Sequence, residues 1–349
     1  MLSEQSSEIR LTRQSDVVRV ARDTEGFSNA VSRRIQIPNG LDGAEHAYMT
    51  RAFAPFFAEK ALDALEEDLV ERAAALVAEL SAGGRVFDAV GELGERYAVQ
   101  AQSAWLGWER DYEDTLVMWV TDYREAARGT DAAARGDVAE RFDALVGGIL
   151  DDRRRERRCD VTSLLMQVRK ENGEHLSDEE ITAILRNWTG GDLASIALCT
   201  GVVVHWLASH PASARGILAG DDVTVEAAID EILRLDDPFV SNRRRAIHDT
   251  VVGGCPVHAG QGVILDWRAA NLDPEAFGDA DVFDPIGHAA ANLVYGIGPH
   301  ACPGRGLATR ELRVLVRALA DAGECAVVGI AERAPAPLAG YRSVPIRIR

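Results

Sequence analysis

The chain has 349 residues, 47% hydrophobic and 27% charged, an ordinary globular composition whose length allows two domains or one large helical enzyme. Its 38 basic and 55 acidic residues leave a formal net charge of −17, which argues against wholesale nucleic-acid binding. Five cysteines without paired spacing, a polar start with no apolar signal core, and no window of membrane-span length imply a soluble protein of the reducing cytoplasm.

Residues 9–20 read as a strand followed by a short helix. Residues 40–57 carry His46, Arg51 and the run Pro55-Phe56-Phe57 on a further helix. From 58 to 171 helix follows helix. Leu62, Leu65, Leu69, Ala73, Leu76 and Leu80 recur in three- and four-residue steps, an amphipathic stripe that faces a core. Trp105, Trp108 and Trp119 read as core aromatics. Residues 115–158 read as a helix pair whose Gly129, Gly136, Gly147 and Gly148 suggest a mobile lid, and the basic run 153–158 as its solvated end.

Residues 178–210 form the longest helical pattern, opening on Ser177-Asp178-Glu179-Glu180 and stopping at Pro211. Gly190 and Gly191 fall in its middle. Each costs a helix about 1 kcal/mol relative to alanine, which suits a bulge or a ligand pressed against the backbone. Asp192 and Ser195 follow, three apart and so on one face. Residues 226–235 form a helix that carries Glu231 and Arg234, also on one face. Residues 251–265 alternate around Gly253, Gly254 and Gly260 as strands and a hairpin. Residues 344–348 alternate as a terminal strand behind a loop with Pro335 and Pro337.

The chemistry concentrates in Tyr295-Gly296-Ile297-Gly298-Pro299-His300-Ala301-Cys302-Pro303-Gly304, ahead of a helical run over 305–320. Glycines let this loop turn tightly and approach a ligand. Pro303 suits a first helical position, which would set Cys302 at a helix N-terminus where a thiolate is favoured. A thiolate framed by glycines needs a soft partner, and haem iron is one. The alternatives are an inert buried cysteine or zinc, which needs about four ligands where His300 and Cys302 supply two.

This loop, continued by Leu307, Ala308 and Glu311, resembles the proximal haem loop of the cytochrome P450 superfamily, with Tyr295 where phenylalanine is usual. The resemblance implies a mainly α fold with small β-sheets and haem b between the long central helix and the cysteine loop. It further implies one domain over 1–349, without the family's usual leading helix and strand, in which Phe27-Ser28 ends an early helix. Cys302 becomes the iron ligand. His46, Arg51, Arg244 and His300 become the haem-binding cations, although the family's arginine lies four residues after the histidine, where this chain has Thr50. Ser195 falls where threonine is usual, with Ala194 in place of the preceding acid and Asp192 one turn earlier; these two are the catalytic pair. Glu231 and Arg234 become a buried structural pair, with Gly287 where a third, arginine member is usual and His288 one residue later. Residues 237–240 cross the distal pocket.

The activity implied is a monooxygenase that inserts one oxygen atom from O2 into a small organic substrate, by hydroxylation or oxidative O-dealkylation. Electrons come from NAD(P)H through a ferredoxin or flavodoxin and its reductase. Residues 188–195 with Asn242, Arg243 and Arg244 are reminiscent of members that act on small aromatic ethers. A peroxide-using or rearranging enzyme on the same fold, or a non-catalytic haem sensor, are the alternatives.

Overall fold

The computed structural model describes residues 8–32, 34–128, 131–336 and 338–349, without the side chains of 124, 127, 128 and 132. Near the start, β1 (Ile9–Leu11) and α1 (Gln14–Arg22) follow the expected order, but Phe27–Ser28 is a short strand, β2. β4 (Ser241–Ala246), β5 (Thr250–Val252), β6 (Cys255–Val257) and β7 (Gly262–Asp266) come from the far half of the chain. β7 pairs in parallel with β1, Arg10 opposite Ile264, and antiparallel with β4, which takes β2 on its other edge, Phe27 opposite Ala246. A small core of Val17, Val20, Phe27, Val263, Leu265 and Leu293 fills the space between this sheet and α1. β5 and β6 form the expected hairpin.

The larger core belongs to the helices: α2 (Gly43–Phe53), α3 (Glu59–Ser81), α4 (Arg96–Leu106), α5 (Glu113–Arg128), α6 (Ala132–Arg155) and α7 (Val161–Leu165). On α3 the stripe Leu62, Leu69, Ala73, Leu76 and Leu80 is buried as its spacing requires, with Leu65 packed at its edge. A short strand, β3 (Phe87–Asp88), and a π-helical turn over Ala89–Glu95 interrupt the run of helices between α3 and α4. Gly94 in that turn is required by packing, because a Cβ there would lie 2.9 Å from Ala197 Cα. The three tryptophans are buried, and Trp119 donates to the Val138 carbonyl at 2.8 Å. α6 runs unbroken through Gly136, Gly147 and Gly148, where a Cβ would meet nothing within 4 Å. Gly129 lies outside the described residues. Of the basic run, Arg153 is buried and paired with Asp160 at 2.7 Å, while the other arginines face solvent.

α8 (Asp178–Ser209) crosses the whole body, about 48 Å long at 1.5 Å per residue. Ser177 and Glu180 close a reciprocal capping box, 3.2 and 2.7 Å, and Pro211 opens α9 (Pro211–Leu218). Contrary to the hydropathy expectation, one window of α8 is apolar enough for a membrane span, but 61% of it is buried inside the fold as core. The helix is regular at Gly190 and Gly191, with no bulge. α10 (Asp222–Leu235) precedes β4. After β7 come α11 (Trp267–Ala270), α12 (Pro274–Phe277), an irregular stretch to 304, and α13 (Arg305–Ala322). Arg310 and Arg313 bind α13 to carboxylates of α3 and α10, Arg310 to Asp63 at 2.9 Å and Arg313 to Glu226 at 2.8 Å. The tail adds β8 (Cys325–Val327), β9 (Glu332–Arg333), β10 (Tyr341–Ser343) and β11 (Pro345–Ile348), with β11 lying between β3 and β8.

Candidate active site

The irregular stretch before α13 is held by a buried polar knot. Arg234 on α10 is fully buried and bonds Glu231 through Nε and Nη2, 2.7 and 2.8 Å, with Nη1 on the carbonyls of Asn271 and Ala280. Glu231 Oε1 also accepts from the Asp284 amide at 3.0 Å and lies 2.7 Å from His288 Nδ1. A proton on Nδ1 serves that bond. Arg234 Nη2, 3.1 Å away, is then a close neighbour of the ring and not its donor. His288 thus completes the knot from one residue beyond the glycine at 287.

Within the cysteine loop the Cys302 amide donates to the Tyr295 carbonyl at 2.8 Å, and Gly296 and Gly298 take φ of 68° and 82°. Gly298 also presses on Ala21, whose carbonyl oxygen would lie 2.8 Å from an added Cβ. α13 begins at Arg305 with Gly304 as its cap, so Pro303 is not a helical residue and Cys302 stands in the turn before the helix. The reason is local: the chain is still turning at Pro303 and Gly304. The Gly304 amide bonds the Cys302 sulfur, and Arg305 adds a favourable charge, yet burial raises the thiol pKa and Asp192 raises it further. The loop therefore does not make a thiolate unaided; a coordinated metal would deprotonate the thiol.

Cys302 opens into a cavity of about 930 Å³, which α8 lines with Gly191, Asp192 and Ser195. Burial lifts the Asp192 carboxyl to a pKa of about 7, and its Oδ2 has no hydrogen-bond partner. Gly191 has open space around it, since a Cβ there would meet nothing within 4 Å. Phe57, Trp105, Trp188 and Phe239 wall the cavity, so Trp105 is both core and wall, and Pro238, Phe239 and Val240 reach it as expected. Gln102 also lines it, with its Oε1 unpartnered; a lone polar residue inside a helix carries no signal that would have singled it out.

Arg244 and His300 line the same cavity, and His46 packs against His300 with ring centroids 3.9 Å apart and the planes tilted by 41°. Burial pushes the Arg244 guanidinium down to a pKa of about 10, and its Nη1 donates to the neighbouring Arg243 carbonyl at 2.8 Å. Burial, His46 and Arg244 push His300 down to about 4. Arg51 is not brought to this group: it is exposed and does not line the cavity. Five helical steps turn a side chain through about 500°, well off the face of His46. Thr50, four steps away, keeps that face and lies 3.4 Å from His46 Nε2.

These residues fit haem. A soft sulfur, an open glycine face and a buried arginine lacking an ion pair among the described residues match iron, a flat macrocycle and its propionates. Fold and site together define a haem-thiolate enzyme. A family model described as Cytochrome P450 matches residues 224–319. The epothilone C/D epoxidase of Sorangium cellulosum is 27% identical, over 88% of this chain and 78% of that protein. The vitamin D(3) 25-hydroxylase of Pseudonocardia autotrophica is 29% identical, over 84% of this chain and 72% of that protein. The open, histidine-tagged structure of cytochrome P450 EryK from S. erythraea superposes with a TM-score of 0.89 at 25% identity, covering 99% of this chain and 92% of that one. The chain has the cytochrome P450 fold, and its activity is that of a haem-thiolate monooxygenase.

Proposed function

We propose that the chain holds a small organic molecule beside the haem and inserts one atom of O2 into it, as a hydroxylation or an oxidative O-dealkylation. Haem bound through a thiolate supplies the oxygen activation, and the protein binds, orients and moves protons. Cys302 is the sulfur ligand. Arg244, His300 and His46 pair with the propionates, while Glu231 and Arg234 with His288 keep the cysteine loop in place. Asp192 and Ser195 handle protons: a carboxyl with a pKa of about 7 can donate and accept near neutrality, and a hydroxyl three residues on shares its face. The four aromatic walls suit an apolar or aromatic substrate. Residues 1–349 act as one domain in the cytoplasm, with electrons from NAD(P)H delivered through a ferredoxin or flavodoxin and its reductase.

The supporting observation is one cavity lined by Cys302, Asp192 and Ser195 together. That relatives include hydroxylases and epoxidases supports insertion of a single oxygen. Ala194, directly before Ser195 where the family usually has an acid, favours a second reading in which peroxide replaces O2 and electrons. Product formation separates them. Turnover with ferredoxin, reductase and NAD(P)H supports the monooxygenase; turnover with hydrogen peroxide alone supports the second reading; no product across a substrate panel would overturn both.

A further inference from the structure

Asn242 stands on β4 two residues before Arg244, and alternate residues of a strand share a face, so both turn to the cavity. Its amide is oriented from behind. Trp267, the first residue of α11, is buried and donates its indole N–H to Asn242 Oδ1 at 2.6 Å. An indole nitrogen can only donate, so the amide oxygen must face Trp267 and the NH2 group must face away from it. Trp267 is itself held, packed in the small core with Leu265 and Leu293, its ring 3.9 Å from where a Cβ on Gly296 would stand. Asn242 is exposed to the cavity, and its Nδ2 donates to no group among the described residues. The neighbouring cations are already engaged: Arg243 pairs with Glu8 at 3.0 Å and Arg10 with Asp266 at 2.6 Å.

We propose that Asn242 selects substrates carrying an acceptor oxygen, such as a ketone, ester or ether oxygen, on an otherwise apolar or aromatic body. Trp267 is the positioning residue that makes this recognition one-sided. The inference rests on the reading of the cavity as a substrate site. A free carboxamide can offer either a donor or an acceptor by turning over, and so selects little. Here turning over would set the NH2 group against the indole N–H, two donors face to face, at the cost of the bond between them. The side open to the cavity is therefore a donor only, which accepts a carbonyl or ether oxygen and rejects an ammonium or amide N–H. Arg244 lies one strand repeat further on, about 6.6 Å, while Phe239 and Val240 precede Asn242 on the cavity wall. An oxygen held by Asn242 thus sits beside the aromatic wall, and the propionates stay with the arginine.

Ligand pairs that differ at one atom test this in the ferric, haem-loaded protein without turnover. Acetophenone and 2-acetylnaphthalene carry a carbonyl oxygen where α-methylstyrene and 2-isopropenylnaphthalene carry a methylene of similar shape. Calorimetric dissociation constants give a ketone-to-alkene preference for each pair. Asn242→Asp keeps an acceptor for Trp267 but replaces the NH2 group by oxygen, so the preference should fall about tenfold. Trp267→Phe frees the amide to turn and should lower the preference by a smaller factor. An unchanged preference in Asn242→Asp would overturn the donor, and a wild-type preference in a haem-loaded Trp267→Phe protein would overturn the positioning role. Asn242→Asp, which retains the indole bond, decides the matter if Trp267→Phe does not fold. Loss of haem from Asn242→Asp with the preference intact would assign the amide to a propionate and overturn the inference, as would wild-type protein that binds neither ligand of either pair. Failure of the monooxygenase reading shows separately, as no product across a substrate panel while the ketone preference persists.

Discussion

His288 Nδ1 lies 2.7 Å from Glu231 Oε1, so a histidine occupies the place in the Glu231–Arg234 knot where the family usually has an arginine. The knot ties α10 to the stretch leading into Cys302, with Asp284 bonded to the same oxygen. Glu231→Ala strands the buried Arg234 and should cost about 3–5 kcal/mol. His288→Ala removes one of several bonds to Glu231 and should cost about 1–3 kcal/mol. Chemical denaturation of both variants checks the order, which a surface role for Glu231 would abolish.

Cys302→Ser and Cys302→Ala should eliminate the red-shifted carbon monoxide band of thiolate haem. A retained band in Cys302→Ala would move the ligand elsewhere, since sulfur is what distinguishes that spectrum.

Arg244→Ala should reduce haem retention during purification, because the arginine faces the cavity while buried and without an ion pair among the described residues. Arg51→Ala should retain haem as wild type does, being exposed on the other side of α2. Equal loss in both variants would return Arg51 to the cofactor.

Ser195→Ala should divert reducing equivalents from product to hydrogen peroxide, as its hydroxyl lines the cavity beside Asp192. Measured ratios of peroxide to NAD(P)H consumed report this, and wild-type ratios would remove Ser195 from proton handling.

The Asp192 carboxyl has a folded pKa of about 7 against an ordinary 3.8. Between those values the folded state binds more protons than the unfolded one, so stability falls as pH rises through the window and then levels. Asp192→Asn removes this slope. The melting temperature of the variant relative to wild type should climb from about pH 4 to about pH 7 and be level above; parallel curves would mean an unshifted carboxyl.

What the sequence determined alone is what depends on near neighbours along the chain. The cysteine loop announces itself because glycine and proline restrict turns wherever they stand, and α8 because its capping box and Pro211 bound a long apolar run. The Glu231–Arg234 pair is legible only through the family resemblance and its place before the cysteine loop, because the same three-step spacing occurs on any exposed helix face. Tertiary structure decided the rest. Phe27–Ser28 is a strand because Arg245 and Ala246 offer an edge from far along the chain, a pairing no local propensity records. His288 substitutes for the missing arginine because the backbone turns at Asp284, its amide at 288 bonding the 284 carbonyl at 3.1 Å. Glu311 is the clearest case. Sequence places it only among the residues that continue the cysteine-loop resemblance, and the isolation of its buried carboxyl exists because α4 and α8 pack over it, burial being a property of neighbours brought together by the fold.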